Sequence, residues 1–334
     1  MDFAYLGALL SASKQLNKPT IIKDHTLGIS DIAVSPYDET EFIAASFDQT
    51  LTIYDINSQS RTLTLNGHTA GVWTTEYSPS DKNTIISAGN DNTIRLWDKS
   101  NGKNINTIKL HKNAIYDVQY STDGKKFACC SKELISVWDV NNLKSPYDII
   151  ENDSKDYDKS FIYCLNFINN NDTIITGYMD GNVLIHDLKE PETDSRTLVL
   201  PDYINKYKEE ESYSKSVFSL TKFNKSDNKI ILCHSDGSVK IFDIEGKLIK
   251  EKDAFFYFTS PVTCANVSSD DKTIVACGKD RTAEVWDLNT HKEIKYTLSG
   301  HKGVITTCHF VDNGKKNIVI TGSYDNSIRI WNLN

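Results

Sequence analysis

Long apolar stretches are missing from this sequence. No run of about eighteen apolar residues occurs in the 334-residue chain, so no transmembrane helix is expected. Positive charge is short as well: Lys and Arg number 37 against 45 Asp and Glu, a net charge of −8. The lysines sit singly among turn residues and form no basic stripe. Nucleic-acid binding, which needs clustered cations on phosphates, is disfavoured, and so is docking to an anionic membrane surface. Residues Met1 to Ser13 are small and apolar, but Asp2 stands where a secretory leader carries basic residues. The cysteines are seven, an odd set without CxxC spacing, each inside an apolar run where it serves as a small hydrophobe. A reducing intracellular compartment, cytoplasm or nucleus, is the expectation. Enzyme signatures are absent too: there is no GxGxxG, P-loop, HExxH or GxSxG elbow. Neither catalysis nor a cofactor or metal is expected.

What the sequence does hold is a repeat. A block of Asp, turn residues, alternating apolar residues, an aromatic and a closing Asp recurs seven times. Examples are Asp48-Gln49-Thr50-Leu51-Thr52-Ile53-Tyr54-Asp55 and Asp91-Asn92-Thr93-Ile94-Arg95-Leu96-Trp97-Asp98. The closing residues are Asp55, Asp98, Asp139, Asp187, Asp243, Asp287 and Asn332, a mean period of about 46 residues. Asp-Gly or Asp-Asn makes a tight turn between two strands, and the alternation after it buries one face. About twenty residues earlier each copy carries a second alternation, such as Val72-Trp73-Thr74-Thr75-Glu76-Tyr77, then a polar turn and another apolar run. Several strands per repeat without helical periodicity predict an all-β fold of stacked antiparallel sheets.

These residues resemble the WD40-repeat family. Gly67-His68 and Gly300-His301 match its Gly-His pair, and Trp97-Asp98, Trp138-Asp139 and Trp286-Asp287 match its Trp-Asp. The resemblance covers residues ~19–334 and implies a seven-bladed β-propeller. It also implies a buried hydrogen-bonded set in blade two, His68, Ser87, Asp91 and Trp97, and another in blade seven, His301, Thr321, Asp325 and Trp331. His25 and His111 occupy the same blade position as these histidines. Departures are Lys132 for the turn Asp in blade three, His186 for the Trp in blade four, and the missing Gly-His of blades four to six. In the family the ring closes by terminal overlap, which implies that Pro19-Thr20-Ile21-Ile22-Lys23 supplies the outer strand of the last blade. The expected division is then residues 1–17 as an extension packed outside the ring and 18–334 as the propeller.

The family also places two sets of residues at one mouth of the central channel. The residue five after the blade His gives Ser30, Trp73, Tyr116, Tyr163, Phe218 or Ser219, Thr263 and Thr306, blade five being ambiguous because of one extra residue. The residue before each turn Asp gives Phe47, Asn90, Ser131, Met179, Ser235, Lys279 and Tyr324. Trp73, Tyr116, Tyr163, Phe218, Phe47 and Tyr324 thus make a candidate aromatic docking site, suited to a partner's Arg or Lys; the bland alternative is that these rings are ordinary core. Three insertions are further candidates: the acidic segment 145–160, the Tyr- and charge-rich segment 201–216, and the run Phe255-Phe256-Tyr257-Phe258, which either covers the seam of blades five and six or docks a partner.

Together these features point to an intracellular scaffold, a monomeric ring within a hetero-complex that binds other proteins or peptide segments. A substrate-receptor subunit for ubiquitin ligation is a second reading. That subgroup commonly places Arg two residues after Trp-Asp, and Trp97-Asp98-Lys99-Ser100, Trp138-Asp139-Val140-Asn141 and Trp286-Asp287-Leu288-Asn289 all lack it. A propeller enzyme or small-ligand binder needs converging carboxylates, Arg or metal ligands in the channel, and none is visible in the sequence.

Overall fold

The computed structural model describes residues 16, 18–132, 134–151, 161–168, 171–189, 196–197, 216–224, 229–244, 256–258, 260–288, 294–312 and 317–333. These form 28 strands in seven four-stranded antiparallel sheets, and the sheets are the blades of a closed propeller. Within a blade the strands run in chain order from the channel outward, and are lettered a to d here. The seven a strands are Ile29–Val34, Val72–Tyr77, Ile115–Tyr120, Ile162–Ile168, Val217–Lys222, Val262–Val267 and Ile305–Asp312.

Burial follows from position in the blade. Strand b, as in Glu41–Ser46 or Thr84–Gly89, lies between neighbours on both edges and both faces and is buried almost throughout. It therefore reads as a continuous apolar run. Strand d, as in Ser60–Asn66, meets water and is largely exposed. The apolar residues do not pool into one core. They gather in seven clusters, one in each seam between adjacent blades; Ile22, Ile29 and Phe42 meet Ile318, Ile320 and Ile328, for example, in the seam of blades seven and one. Side chains from two sheet faces interdigitate there.

The b–c turns carry the repeated Asp. In blade two, Asn92 N–H donates to Gly89 C=O at 3.2 Å, and Asn92 takes a left-handed φ of 61°. Asp91 stabilises the bend by accepting from Thr93 N–H at 3.1 Å. Gln49, Gly181, Gly237, Arg281 and Asn326 adopt the same left-handed conformation after their turn Asp. This is a type I turn followed by a left-handed residue, a common short hairpin connection. It leaves the residue before the Asp at the tip of the turn, which is why Phe47 and Tyr324 stand at the channel mouth.

The same Asp reaches back to the blade histidine. His68 Nδ1 donates to Asp91 Oδ2 at 2.8 Å, His68 Nε2 lies 2.7 Å from Ser87 Oγ, and Trp97 Nε1 donates to Ser87 Oγ at 2.8 Å. His301, Asp325, Thr321 and Trp331 repeat the arrangement at 3.0, 2.8 and 2.9 Å. Blade three, lacking the Asp, is rewired: His111 sits 2.8 Å from both Ser131 Oγ and Ser136 Oγ, and Trp138 Nε1 donates to Ser136 Oγ at 2.9 Å. In blade four His186 Nε2 lies 3.1 Å from Thr176 Oγ1 and takes the Trp nitrogen's place.

Residues Thr20–Ile22 form strand d of blade seven, pairing antiparallel with Ile328–Asn332 in the register Thr20–Ile330, Ile21–Arg329 and Ile22–Ile328. The first described strand and the last blade thus share one sheet. Of the proposed extension, Leu16 packs on the seam of blades six and seven, and residues 1–15 and 17 lie outside the described residues. In the aromatic run, Phe256–Tyr257 is strand d of blade five, paired with Ser238 and Val239. Phe258, only 7% exposed, follows strand d directly and fills the seam of blades five and six with Val239 and Val262, so this residue is core and not a free docking surface. Phe255 lies outside the described residues. Asp148–Glu151, within the acidic segment, is strand d of blade three. Residues 152–160 and 201–215 fall outside the described ones. Among the described residues, no helix is long and apolar enough to cross a membrane.

Deleting residues 18–24 removes the closing strand and bares the edge of Ile328–Asn332. A lower melting temperature by calorimetry is expected. Ile22→Ala, which hollows the closing seam, is expected to cost about 2–5 kcal/mol. Unchanged unfolding of both variants contradicts closure by this strand.

Candidate functional site

Every a strand carries a β-bulge near its start. The ladder to strand b skips one residue between Ile29 and Asp31, Val72 and Thr74, Ile115 and Asp117, Ile162 and Cys164, Val217 and Ser219, Val262 and Cys264, and Ile305 and Thr307. The skipped residues are Ser30, Trp73, Tyr116, Tyr163, Phe218, Thr263 and Thr306. A bulged residue leaves the pleat and its side chain is re-aimed, here into the channel mouth. Blade five is thereby assigned: Phe218 is the bulged residue, and Ser219 returns to the ladder opposite Cys233.

The mouth has two unlike halves. In blades six, seven and one the bulged residue is a hydroxyl that ties its blade to the next. Ser30 Oγ donates to Val72 C=O at 2.7 Å, Thr263 Oγ1 to Ile305 C=O at 2.5 Å, and Thr306 Oγ1 to Ile29 C=O at 2.8 Å. In blades two to five the bulged residue is aromatic. Trp73 lies 5.7 Å from Tyr116, Tyr116 stacks on Tyr163 at 5.5 Å, and Tyr163 meets Phe218 at 5.8 Å. The turn tips extend the chain of rings: Phe47 sits edge-on to Trp73 at 4.8 Å, and Tyr324 lies 5.7 Å from Phe47. Six rings from six blades are thus in sequence around the mouth.

The rings are held by their neighbours. Trp73 Nε1 donates to Asn90 Oδ1 at 2.7 Å, so one turn-tip residue orients the bulged residue of its own blade. Gly71 lets Phe47 settle: a Cβ there would come within 2.8 Å of the Phe47 ring. Lys279, at the turn tip of blade six, places its ammonium 5.1 Å from the centre of the Phe218 ring. Ser131 is not part of the cluster, because its hydroxyl is turned to His111. Trp73, Tyr116, Tyr163, Phe218 and Phe47 are half-buried, and Tyr324 is 46% exposed. The rings pack on one another and still present surface to the channel, a cavity of about 430 Å³.

Beneath the rim lies a feature that motif-reading missed. Asp31, Glu76 and Asp117 stand on the a strands of the first three blades and reach to the next blade. Asp31 Oδ2 accepts from Thr75 N–H at 3.0 Å, Glu76 Oε2 from Tyr120 N–H at 2.5 Å, and Asp117 Oδ2 from Leu165 N–H at 2.9 Å. Asn266 Oδ1 does the same for Phe310 N–H at 3.1 Å. Strand a has no partner strand on its channel side, and these acceptors satisfy its outward N–H groups. The signal in the sequence was an acidic residue directly after the bulged position in blades one and three. Burial pushes Asp31 up to about 7, Asp117 up to about 6 and Glu76 up to about 8, against the accepted N–H bonds, which pull the other way. The turn carboxylates behave oppositely. Burial acts to raise Asp91, but hydrogen bonds from His68 and Thr93 outweigh it and hold the group well below the usual carboxylate range. Asp48 is likewise depressed, by His25 and Thr50 against burial. Among the described residues, no group of three or more His, Cys, Asp or Glu is arranged to hold a metal ion.

A pH dependence of stability follows. Between the ordinary carboxylate range and pH 8, the folded ring keeps protons on Asp31, Asp117 and Glu76 that the unfolded chain has released. Stability therefore falls as pH rises across that window. The depressed Asp48 and Asp91 contribute stability above the ordinary carboxylate range and lose it as pH falls below that range. Denaturant unfolding is expected to show greater stability at pH 5 than at pH 8, and Glu76→Gln, which keeps the acceptor, is expected to flatten that slope. Equal slopes in the two proteins contradict the assignment.

A family model described as the IFT122 first beta-propeller matches residues 28–332. Protein tipD of Dictyostelium discoideum is 26% identical over 111 residues, 33% of this chain and 17% of that protein. The WD repeat-containing protein 91 homolog of the same organism is 21% identical over 204 residues, 60% of this chain and 24% of that protein. Its diphthine methyltransferase homolog is 30% identical over 138 residues, 36% of this chain and 37% of that protein. The chain thus spans well under half the length of each of these relatives. WD-repeat propellers are generally protein-interaction scaffolds. With seven bladed sheets, the His–Asp–Trp hydrogen bonds and a match over nearly its whole length, this chain belongs to the WD40 seven-bladed propeller family, in the group of the IFT122 first beta-propeller.

Proposed function

We propose that the ring is an intracellular, non-enzymatic scaffold that docks a partner peptide on the aromatic half of its channel mouth, with an Arg or Lys of the partner as anchor. The observation that carries this reading is the bulge-directed row of rings, half-buried and rimmed by polar groups. Rigid aromatics set beside polar rims are where interfaces concentrate binding energy. A cation entering between Trp73, Tyr116 and Tyr163 meets ring faces first and the carboxyls of Asp31 and Asp117 below them. The Phe218 end already carries the chain's own Lys279, so the partner's cation is assigned to the rings of blades two to four. The seven cysteines are free and lie in strands, which supports a reducing compartment, cytoplasm or nucleus. In this reading the ring is a monomer within a hetero-complex.

A second reading, a small-ligand or catalytic site in the channel, gains one observation: Asp31 and Asp117 line it, as the sequence alone did not reveal. Each of them, however, spends an oxygen on the next blade's backbone, which supports a stapling role. The ubiquitin-ligase reading has the absence of the expected Arg against it.

The test is native affinity purification with the wild-type ring and with the Trp73→Ala, Tyr116→Ala, Tyr163→Ala triple variant. The variant is expected to lose the partners while keeping its cooperative melting transition. Once a partner segment is in hand, each single truncation is expected to cost ~2 kcal/mol, about 30-fold in Kd. Retention of every partner by the folded triple variant refutes docking at the mouth.

A further inference from the structure

Three of the seven thiols meet at one place, on the hydroxyl half of the channel. Cys264 and Cys308 lie on the a strands of blades six and seven, and Cys277 lies on strand b of blade six directly opposite Cys264. Cys264 Sγ lies 3.9 Å from Cys308 C=O, and Cys308 Sγ lies 3.6 Å from Cys264 C=O. The two side chains therefore run side by side across the seam. Cys277 and Cys308 are fully buried, whereas Cys264 is half-buried and lines the channel cavity, on the same wall as His309. Only one thiol of the three has a route to solvent.

The three sulfurs are not equivalent chemically. The neighbouring Cys277 and Cys308 thiols lower Cys264 against the opposing effect of burial, while burial pushes the other two well up. Burial also lowers His309, which keeps its imidazole neutral beside the thiol. A thiolate with access is the reactive form of cysteine.

The geometry points to Cys264 as an oxidant-sensitive thiol of the channel wall, with Cys308 as its resolving partner in a disulfide that links blades six and seven. Hydrogen peroxide is the oxidant. The Cys264 thiolate attacks one peroxide oxygen; an S–O bond forms, the O–O bond breaks, and the departing hydroxide takes a proton to become water. Cys308 then loses its proton and attacks the sulfenic sulfur; the S–S bond forms, the S–O bond breaks, and a second water leaves. Two thiols are oxidised by two electrons in all, and one peroxide is reduced to two waters. Cys277 is the poorer partner although it is adjacent. Directly opposed residues of an antiparallel pair hold their Cβ atoms about 4.5–5.5 Å apart, against the ~3.8 Å a disulfide prefers. The approach of Cys308 from the next blade is not fixed by a ladder.

The experiment uses the whole chain. Brief treatment of native protein with N-ethylmaleimide is expected to label Cys264 roughly ten-fold or more faster than Cys277 and Cys308. After peroxide, thiol titration in denaturant is expected to fall from seven to five, and an unreduced peptide map to join the Cys264 and Cys308 peptides. Cys277→Ser still forms this link, and Cys308→Ser leaves a Cys264 sulfenic acid that dimedone traps. The wild-type map stands even where a variant fails to fold. Seven thiols surviving peroxide, a cross-link that omits Cys264, or a Cys264–Cys277 link in wild type overturns the assignment.

Discussion

The innermost strand of each blade faces a channel and has no strand to pair with on that side, and the ring depends on how its outward backbone groups are satisfied. Unpaired buried N–H and C=O groups each cost about 1–3 kcal/mol, so a ring of seven open edges cannot leave them bare. The chain answers with side chains that reach from one blade to the next. Asp31, Glu76, Asp117 and Asn266 accept from N–H groups, and Ser30, Thr263 and Thr306 donate to carbonyls. The apolar seams add burial, and this directional stitching adds fixed contacts between blades one to four and between blades six, seven and one.

That stitching also decides where binding surface can exist. Where the bulged residue is Ser or Thr, the mouth is closed by hydrogen bonds within the ring. Where it is Trp, Tyr or Phe, the side chain is too large to turn back on the neighbouring carbonyl, and its ring leans on the next ring instead. Hydroxyl-to-carbonyl ties at the bulged position are thus confined to one side of the mouth and exposed aromatic area to the other. The same division places Cys264, the most exposed thiol of the described strands, on the hydrogen-bonded side.

The blade signature is a physical solution that tolerates substitution of its parts. A buried imidazole needs a hydroxyl and an acceptor, and an indole N–H needs an oxygen. Blade three supplies these with Ser131 and Ser136 in place of an Asp and of the hydroxyl on strand b. Blade four presents the His186 nitrogen where an indole would stand. Blade one has Ala44 at the hydroxyl position and Tyr54 at the Trp position, and His25 Nε2 is left with no partner there, although Asp48 still holds Nδ1 at 2.8 Å. The repeat survives these changes because the blade needs its strands and turn more than a particular residue at each place; blade one keeps its sheet with only one of the two imidazole nitrogens paired.

How much of this was legible depends on range. Turn chemistry and alternation are local, so the Asp-turn blocks ending at Asp55, Asp98 and their counterparts determined the strands, the number of blades and the positions of His68 and His301. The family resemblance then located the mouth, down to Trp73, Tyr116 and Tyr163. Blade five stayed ambiguous because one extra residue moves the count, and only the ladder, which skips Phe218, decided it. The inter-blade carboxylates and the Cys264–Cys308 approach join residues 44 apart or more. No local pattern encodes such pairs. They come into being when seven sheets close around an axis, and the tertiary structure alone decides which side chains meet there.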